Sequence, residues 1–429
     1  MRRLTFAALL ALVPVASALA ADPQAIATRL LDQLDAGQYA AAEAMFSPEM
    51  KAAVPADKLK AVWESLPAQA GPRGERGPAK VSRTEGGAGS VLIPLQYAKA
   101  RLQARVAVDA DGQVVGFLVQ PAAADPAPAP AADAPFSEQA FEVPGNHGRP
   151  GLPGTLALPR GKGPFPAVVL VHGSGPQDRD ETIGPNRPFL DIARGLAAQG
   201  IAVLRYDKRT RARPQDFTAS FGIAEETVDD AVAAVAALAA TDGIDPKRVF
   251  VLGHSQGGQL AGHIATTSAG KVAGLVLFAA PARPLLDLLV EQNRYLVSLD
   301  DTISAEEQAH LDALDAAIAA VRNDPQASLM NTPGRFWQEL EQVDAVADVR
   351  ASGLPALLLQ GGRDFQVVDA DWQRWKQELS GDRYRFHHYP ALNHLGIAGQ
   401  GKGSPEEYAQ PGHVDAALIG DIASWIRSR

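Results

Sequence analysis

A chain of 429 residues, 46% hydrophobic and 21% charged, has the length for one large domain plus a small one, and its near-average composition excludes collagen, coiled coil and wholesale disorder. It contains no cysteine, which removes disulfides, thiolate nucleophiles and Cys-ligated zinc and leaves covalent chemistry to Ser, Thr, Lys or a carboxylate. A formal charge of −9, from 40 basic and 49 acidic residues, disfavours binding of nucleic acid through a general basic surface.

The chain opens on Arg2 and Arg3, an uncharged stretch from Leu4 to Ala20, and the small-x-small triplet Ala18, Leu19, Ala20. This is the pattern of a secretory signal peptide in residues 1–20, with cleavage expected after Ala20. Pro14 interrupts a run already short of the roughly 20 residues needed to span a bilayer. No later apolar run is long enough either, so the mature chain is expected in the periplasm or secreted, without a membrane span.

Residues 21–120 read as a small α+β domain. Ala25 to Leu34 and Tyr39 to Phe46 carry apolar residues at helical spacing, and Asp57 to Leu66 predicts a third helix with Leu59, Val62, Trp63 and Leu66 on one face. Ser90 to Tyr97, Ala100 to Val108 and Val114 to Val119 then read as strands, with Asp111 and Gly112 as a hairpin turn. No histidine falls here and the acids lack ligand-like spacing, so binding or shielding is expected rather than catalysis. Residues 121–135, PAAADPAPAPAADAP, hold five prolines and read as an extended spacer.

Residues 136–429 alternate strand and helix. Pro166 to His172, Ile201 to Tyr206, Arg248 to Leu252, Val272 to Phe278 and Pro355 to Gln360 are short, almost wholly apolar runs, which belong to a parallel sheet covered on both faces. Phe189 to Gln199 and Thr227 to Ala239 are crossover helices. The expected fold is α/β, a doubly wound and mostly parallel sheet, whose ligands sit beyond the carboxyl ends of the strands.

Gly253, His254, Ser255, Gln256, Gly257 and Gly258 follow the 248–252 strand and precede a helix. GxSxG alone is a weak signal, but strand, tight turn, small neighbours and helix start in that order make a nucleophile elbow, with Ser255 as the nucleophile. A serine needs a base and the base an orienter. His394, in ALNHLG after the predicted strand Arg383 to Tyr389, lies at a strand's carboxyl end. His387 and His388 lie within that strand, so at least one ring is expected in a packed face. His172 and His254 are expected to position backbone. Asp364, directly after the 355–360 strand, is the candidate orienter; its rivals Asp369 and Asp371 begin the next helix and are better read as N-terminal charges. The backbone N–H groups of Gln256, after the nucleophile, and Ser174, in HGSG at 172–175, are the candidate oxyanion donors.

At these residues the chain resembles the α/β-hydrolases, and more narrowly the exported bacterial hydrolases, related to dienelactone-hydrolase and serine-aminopeptidase-like proteins, that carry a small N-terminal domain of unknown function. The stretches that carry the resemblance are LVHGSGPQDRDETIGPNRPF at 170–189, AVLRYDKRT at 202–210, VLGHSQGG at 251–258, LLLQGGRDFQV at 357–367 and YPALNHL at 389–395. The resemblance implies serine hydrolysis through Ser255, Asp364 and His394, in the chain order nucleophile, acid, histidine, with no metal and no cofactor. After Asp207 the chain departs from the commonest hydrolase pattern, with Thr210 in place of the usual glycine and Arg211 and Arg213 following.

Residues 283–349 are too long for a simple crossover and hold helical patterns at Leu285 to Leu299, Ala305 to Val321 and Arg335 to Val343, read as a helical cap. Phe336 and Trp337 are candidates to line an apolar substrate site or to pack cap on body. The run Lys208, Arg209, Arg211, Arg213 either attracts an anionic substrate group or forms a solvated loop face. The expected activity is an exported carboxylic-ester hydrolase acting on a small-molecule ester. An aminopeptidase or amidase acting on a peptide-like substrate would use the same triad, and acids in the cap such as Asp300, Asp301, Glu306 and Glu307 would favour it if they bound a substrate amine. A binding module for envelope components on a hydrolase fold is the reading from another class.

Overall fold

The computed structural model describes residues 22–83, 88–98, 101–122, 127–217 and 220–429; the expected signal peptide and its cleavage site lie outside them. The chain divides into two compact units, Met1–Asp125 and Pro126–Arg429. In the first, helices Pro23–Asp35, Tyr39–Ala44, Pro48–Ala53 and Ala56–Ala70 accompany an antiparallel sheet of five strands, Arg73–Arg76, Lys80–Arg83, Gly89–Tyr97, Arg101–Val108 and Val114–Pro121. Gly89–Tyr97 alternates buried and half-buried side chains, and Val91, Ile93 and Val106 meet Leu30, Leu31, Phe46 and Trp63 in one core. Arg73–Arg76 and Lys80–Arg83 are additions to the sequence reading: both are short and charged, and both exist because they pair along Gly89–Tyr97.

The larger unit is built on eight strands: β1 (Phe136–Val143), β2 (Leu152–Pro159), β3 (Phe165–Val171), β4 (Ala202–Tyr206), β5 (Ile244–His254), β6 (Gly274–Phe278), β7 (Ala356–Gly361) and β8 (Tyr384–Tyr389). Their order across the sheet is β8-β7-β6-β5-β3-β4-β2-β1. Strands β3 to β8 run parallel to one another, while β2 runs antiparallel to β4 and to β1. The last two strands lack an apolar run: Phe136–Val143, at the sheet edge, carries exposed polar residues, and Leu152–Pro159 holds two prolines.

Period-two alternation sends the apolar runs to both faces. Val168 and Leu170 of β3 and Phe250 and Leu252 of β5 pack against α1 (Pro188–Ala197), while Val169, Val171, Val249 and Val251 pack against α2 (Asp229–Ala239). Behind β5 come α3 (Gln256–Gln259) and α4 (Ala261–Thr267). The insertion between β6 and β7 comprises α5 (Leu285–Val297), α6 (Ala305–Asn323), a two-stranded hairpin at Ser328–Leu329 and Thr332–Pro333, α7 (Gly334–Glu341) and α8 (Ala345–Ser352). A Ser304/Glu307 capping box starts α6. The fourth helix, α8, was not foreseen; it lies so close to α4 that a Cβ on Gly262 would stand 2.5 Å from the Val349 nitrogen. Two more helices, α9 (Asp369–Glu378) and α10 (Ala416–Arg427), complete the layers.

Candidate active site

Ser255 ends β5 and begins α3 with φ 52° and ψ −121°, a conformation that strains a residue with a Cβ and that turn nucleophiles adopt. The surrounding glycines permit the turn. A Cβ on Gly253 would lie 2.2 Å from the Gly257 oxygen, and one on Gly257 would lie 2.3 Å from the Val171 oxygen of β3. The Ser255 amide donates to the Phe278 carbonyl at 2.9 Å, tying the turn to β6.

His394 follows β8. Its Nδ1 lies 2.7 Å from Asp364 Oδ2, and because a carboxylate only accepts, the proton sits on Nδ1 and leaves Nε2 free to act as a base. Asp364 is itself held: Oδ1 accepts from the Gln366 and Val367 amides at 2.8 and 2.9 Å, and Oδ2 accepts from Gln360 Nε2 at 3.2 Å. Both partners are buried. A cavity of about 610 Å³ is lined by Ser255, His394, Gln256, Ser174, Phe336 and Trp337 together, so one space joins five of the candidate residues to the His394 face, with Asp364 bonded behind it. Among the described residues neither the Ser174 nor the Gln256 amide donates to a backbone carbonyl.

The cap supplies the apolar wall. Phe221 stands 6.0 Å from Phe336 between ring centroids, and Phe336 stands 5.3 Å from Trp337. Phe336 and Trp337 are also core residues, 4% and 5% exposed, so they line the cavity and pack the cap at once. The Trp337 Nε1 donates to the Leu329 carbonyl at 3.3 Å. That bond supports the hairpin whose tip, Met330 and Asn331, reaches the cavity with positive φ values of 53° and 59°.

A second buried histidine–carboxylate pair, which sequence reasoning missed, lies beside the first. His254 Nδ1 stands 2.9 Å from Glu181 Oε2 and its Nε2 donates to the His394 carbonyl at 2.9 Å. Burial opposes charge on His254, yet the facing Glu181 carboxylate outweighs it and raises the imidazole above its ordinary range. Glu181 is likewise buried, but His254, His172 and the Gly173 N–H hold it below the usual carboxylate range. His172 goes the other way: burial pushes it down to about 4, and its Nε2 donates to the Asp178 carbonyl at 3.0 Å.

The remaining candidates fall elsewhere. His387 and His388 do not fill a packed face: β8 is an edge strand, His387 is half-exposed beside Asp421, and His388 is exposed. Asp371 is more than an N-terminal charge; fully buried, it accepts from the Ala282 and Arg283 amides and from the Arg283 guanidinium, anchoring the start of the insertion. The basic run is neither a solvated face nor a set of free cations, because Lys208 pairs with Glu226 in the interior and Arg209 with Asp230 and Asp216. Arg213 pairs with Asp216 and Arg211 is exposed. The buried pairing was hidden because the acids arrive from positions 7 to 21 residues further on.

Comparison with known proteins agrees with this architecture. A family model described as "Serine aminopeptidase, S33" matches residues 164–397, and one described as a protein of unknown function (DUF3887) matches residues 27–117. The esterase EstD of Thermotoga maritima is 37% identical over 398 residues, 92% of this chain and 93% of that protein. Among solved structures, Est1E from Butyrivibrio proteoclasticus has a TM-score of 0.44 at 14% identity, covering 68% of this chain and 99% of its own. The esterase domain of a Rhodothermus marinus protein gives 0.42 at 20% identity, covering 68% and 98%. With a family model over more than half its length and a curated relative over nearly all of it, the chain belongs to the S33 serine aminopeptidase family of α/β-hydrolases and is a serine hydrolase, carboxylesterase-like.

Proposed function

We propose that this chain is an exported carboxylic-ester hydrolase with Ser255, His394 and Asp364 as its triad. Ser255 Oγ attacks the ester carbonyl while His394 Nε2 takes its proton; Asp364 holds the imidazole by Nδ1 and stabilises the imidazolium that forms. The Ser174 and Gln256 amides donate to the oxyanion. The alcohol leaves with the proton from His394, giving an acyl-enzyme, and water activated by the same imidazole releases the acid and restores Ser255. The observation that carries this reading is the 2.7 Å His394–Asp364 bond behind a cavity that His394 shares with a strained Ser255.

The ester reading is preferred over the aminopeptidase one because of the carboxylates. A free substrate amine requires an unpaired acid in the cavity. Asp300, Asp301, Glu306 and Glu307 are not among the residues that line it, and Glu307 closes the capping box of α6. The carboxylates that do line it, Glu181 and Glu226, are engaged by His254 and Lys208. The relative EstD is named an esterase, in keeping with this choice. Ser255→Ala should abolish hydrolysis of p-nitrophenyl esters while leaving the fold intact, and the wild type should prefer those esters to aminoacyl p-nitroanilides in parallel assays. Full turnover by Ser255→Ala, or a preference for the anilides, would contradict the proposal.

A further inference from the structure

In a trans peptide the carbonyl of one residue and the N–H of the next point in opposite directions, so whatever holds the Gly173 carbonyl also aims the Ser174 N–H. Lys208, just past β4, is that group: its Nζ donates to the Gly173 oxygen at 2.8 Å. The ammonium is buried behind the loop, among His172, Tyr206 and Thr227, while Gly173 and Ser174 line the catalytic cavity. From the same region Glu181 Oε1 accepts the Gly173 N–H at 2.7 Å. Both polar groups of Gly173 are thus held by charged side chains.

The ammonium also meets Glu226 Oε1 at 2.5 Å. The other Glu226 oxygen accepts from the Gln256 side-chain amide at 3.0 Å and from the Thr227 hydroxyl. Glu226 and Thr227 belong to a single π-helical turn, Ala224–Val228, that leads into α2, and such turns recur at functional sites. One buried ion pair therefore reaches both oxyanion residues: the Ser174 peptide through Lys208 and Gln256 through Glu226. A buried ion pair adds little net stability over apolar side chains of the same volume, so stability alone does not account for one set behind this loop.

We propose, resting on the esterase reading of the same site, that Lys208 and Glu226 are positioning residues whose ion pair aims the Ser174 N–H at the oxyanion and holds the Gln256 side chain beside it. Lys208 acts through the Gly173–Ser174 peptide, and Glu226 through Lys208 and the Gln256 side chain.

The test is the preference for an oxo ester over the matching thionoester. Sulfur accepts hydrogen bonds more weakly than oxygen, so aimed N–H donors favour the oxo substrate, and the ratio of the two kcat/KM values on one sample does not depend on how much of it is folded. Wild type, Lys208→Met, Glu226→Gln and Lys208→Arg are compared with the double variant Lys208→Met/Glu226→Gln, which removes both charges and leaves neither unpaired. Expected are a fall in kcat of about 100-fold with little change in KM, a loss of at least about tenfold in the oxo/thiono ratio, as for a removed oxyanion donor, and partial recovery in Lys208→Arg. A ratio that stays at the wild-type value in every folded variant, whatever happens to kcat or Tm, overturns the proposal. If Ser255→Ala is inactive and the ratio is unmoved, only the positioning role fails; if Ser255→Ala is fully active, the esterase reading fails with it.

Discussion

His172 shows how one buried side chain writes its environment into the pH dependence of stability. Burial is the main cause of its low pKa of about 4; the neighbouring Lys208 charge adds to it, and Glu181 and Asp178 oppose it. An unfolded histidine titrates near 6.5. Between pH 6.5 and about 4 the unfolded chain therefore takes up a proton that the folded chain refuses, so stability is lost as pH falls through that window. The loss at pH 5 is about 2 kcal/mol from this residue. His254, whose pKa is raised, contributes with the opposite sign and in a different window: its stabilisation is complete below pH 6.5 and fades as pH rises through its folded value. His172→Gln keeps a donor near the Asp178 carbonyl and removes the titration. Unfolding free energies from urea titrations at pH 7 and pH 5 should then differ by about 2 kcal/mol less in the variant than in the wild type, and an equal acid loss in both proteins would refute the assignment. At this scale the sequence singled out Ser255, Asp364 and His394 because each follows a strand end, and one cavity and one hydrogen bond bring them together. It was silent on Glu181 and Glu226 and misread Lys208 as substrate-facing or solvated, because their partners are remote in sequence and only the folded loops join them.

Elements divide along a similar line. The parallel strands β3 to β7 were legible as apolar runs because burial on both faces demands them, whereas β1, at the sheet edge where polar side chains are tolerated, and β2, which carries two prolines, were not. Helix α5 was legible almost residue for residue, but α8 was missed because its sequence, AVADVRAS, buries only Ala345, Val346 and Val349. Helix α7 carries the substrate-site candidates. Phe336 is 4% exposed, lines the cavity and meets both Phe221 and Trp337, so truncating it should do two things. Phe336→Ala should lower stability by about 3–4 kcal/mol, the cost of a large aromatic removed from a core. It should also enlarge the cavity and shift p-nitrophenyl ester preference toward longer acyl chains, read as kcat/KM across the series. Lost stability with an unchanged chain-length profile would make Phe336 a packing residue and nothing more.

Among the described residues, one apolar cluster gathers Ala27 to Val114 and the others draw on Phe136 to Ile426. A unit with its own core has the means to fold alone. The proline-rich stretch adds a condition on where to cut. Its second half is bonded to the larger unit, since Arg194 Nη2 donates to the Pro128 carbonyl at 2.7 Å and Arg160 Nε to the Ala134 carbonyl at 2.8 Å, and Ala134 packs beside Phe136 and Ala197. Read from composition alone, residues 121–135 offered nothing to pack; the contacts come from arginines on other elements. A chain of residues 126–429 should therefore fold and keep its kcat on esters within about threefold of the full chain, because every cavity-lining residue lies inside it. A chain starting at residue 136 loses the Pro128, Ala132 and Ala134 carbonyls that accept from arginine side chains and the Pro135 carbonyl that accepts from the Arg160 amide, each worth about 1–1.5 kcal/mol. It should stay active but melt several degrees lower, at about 2–4 °C per kcal/mol for a unit of this size. Thermal melts and ester assays on the two truncations separate the outcomes: equal Tm values would deny the stretch a structural part, and an inactive 126–429 chain would assign the small unit a part in catalysis.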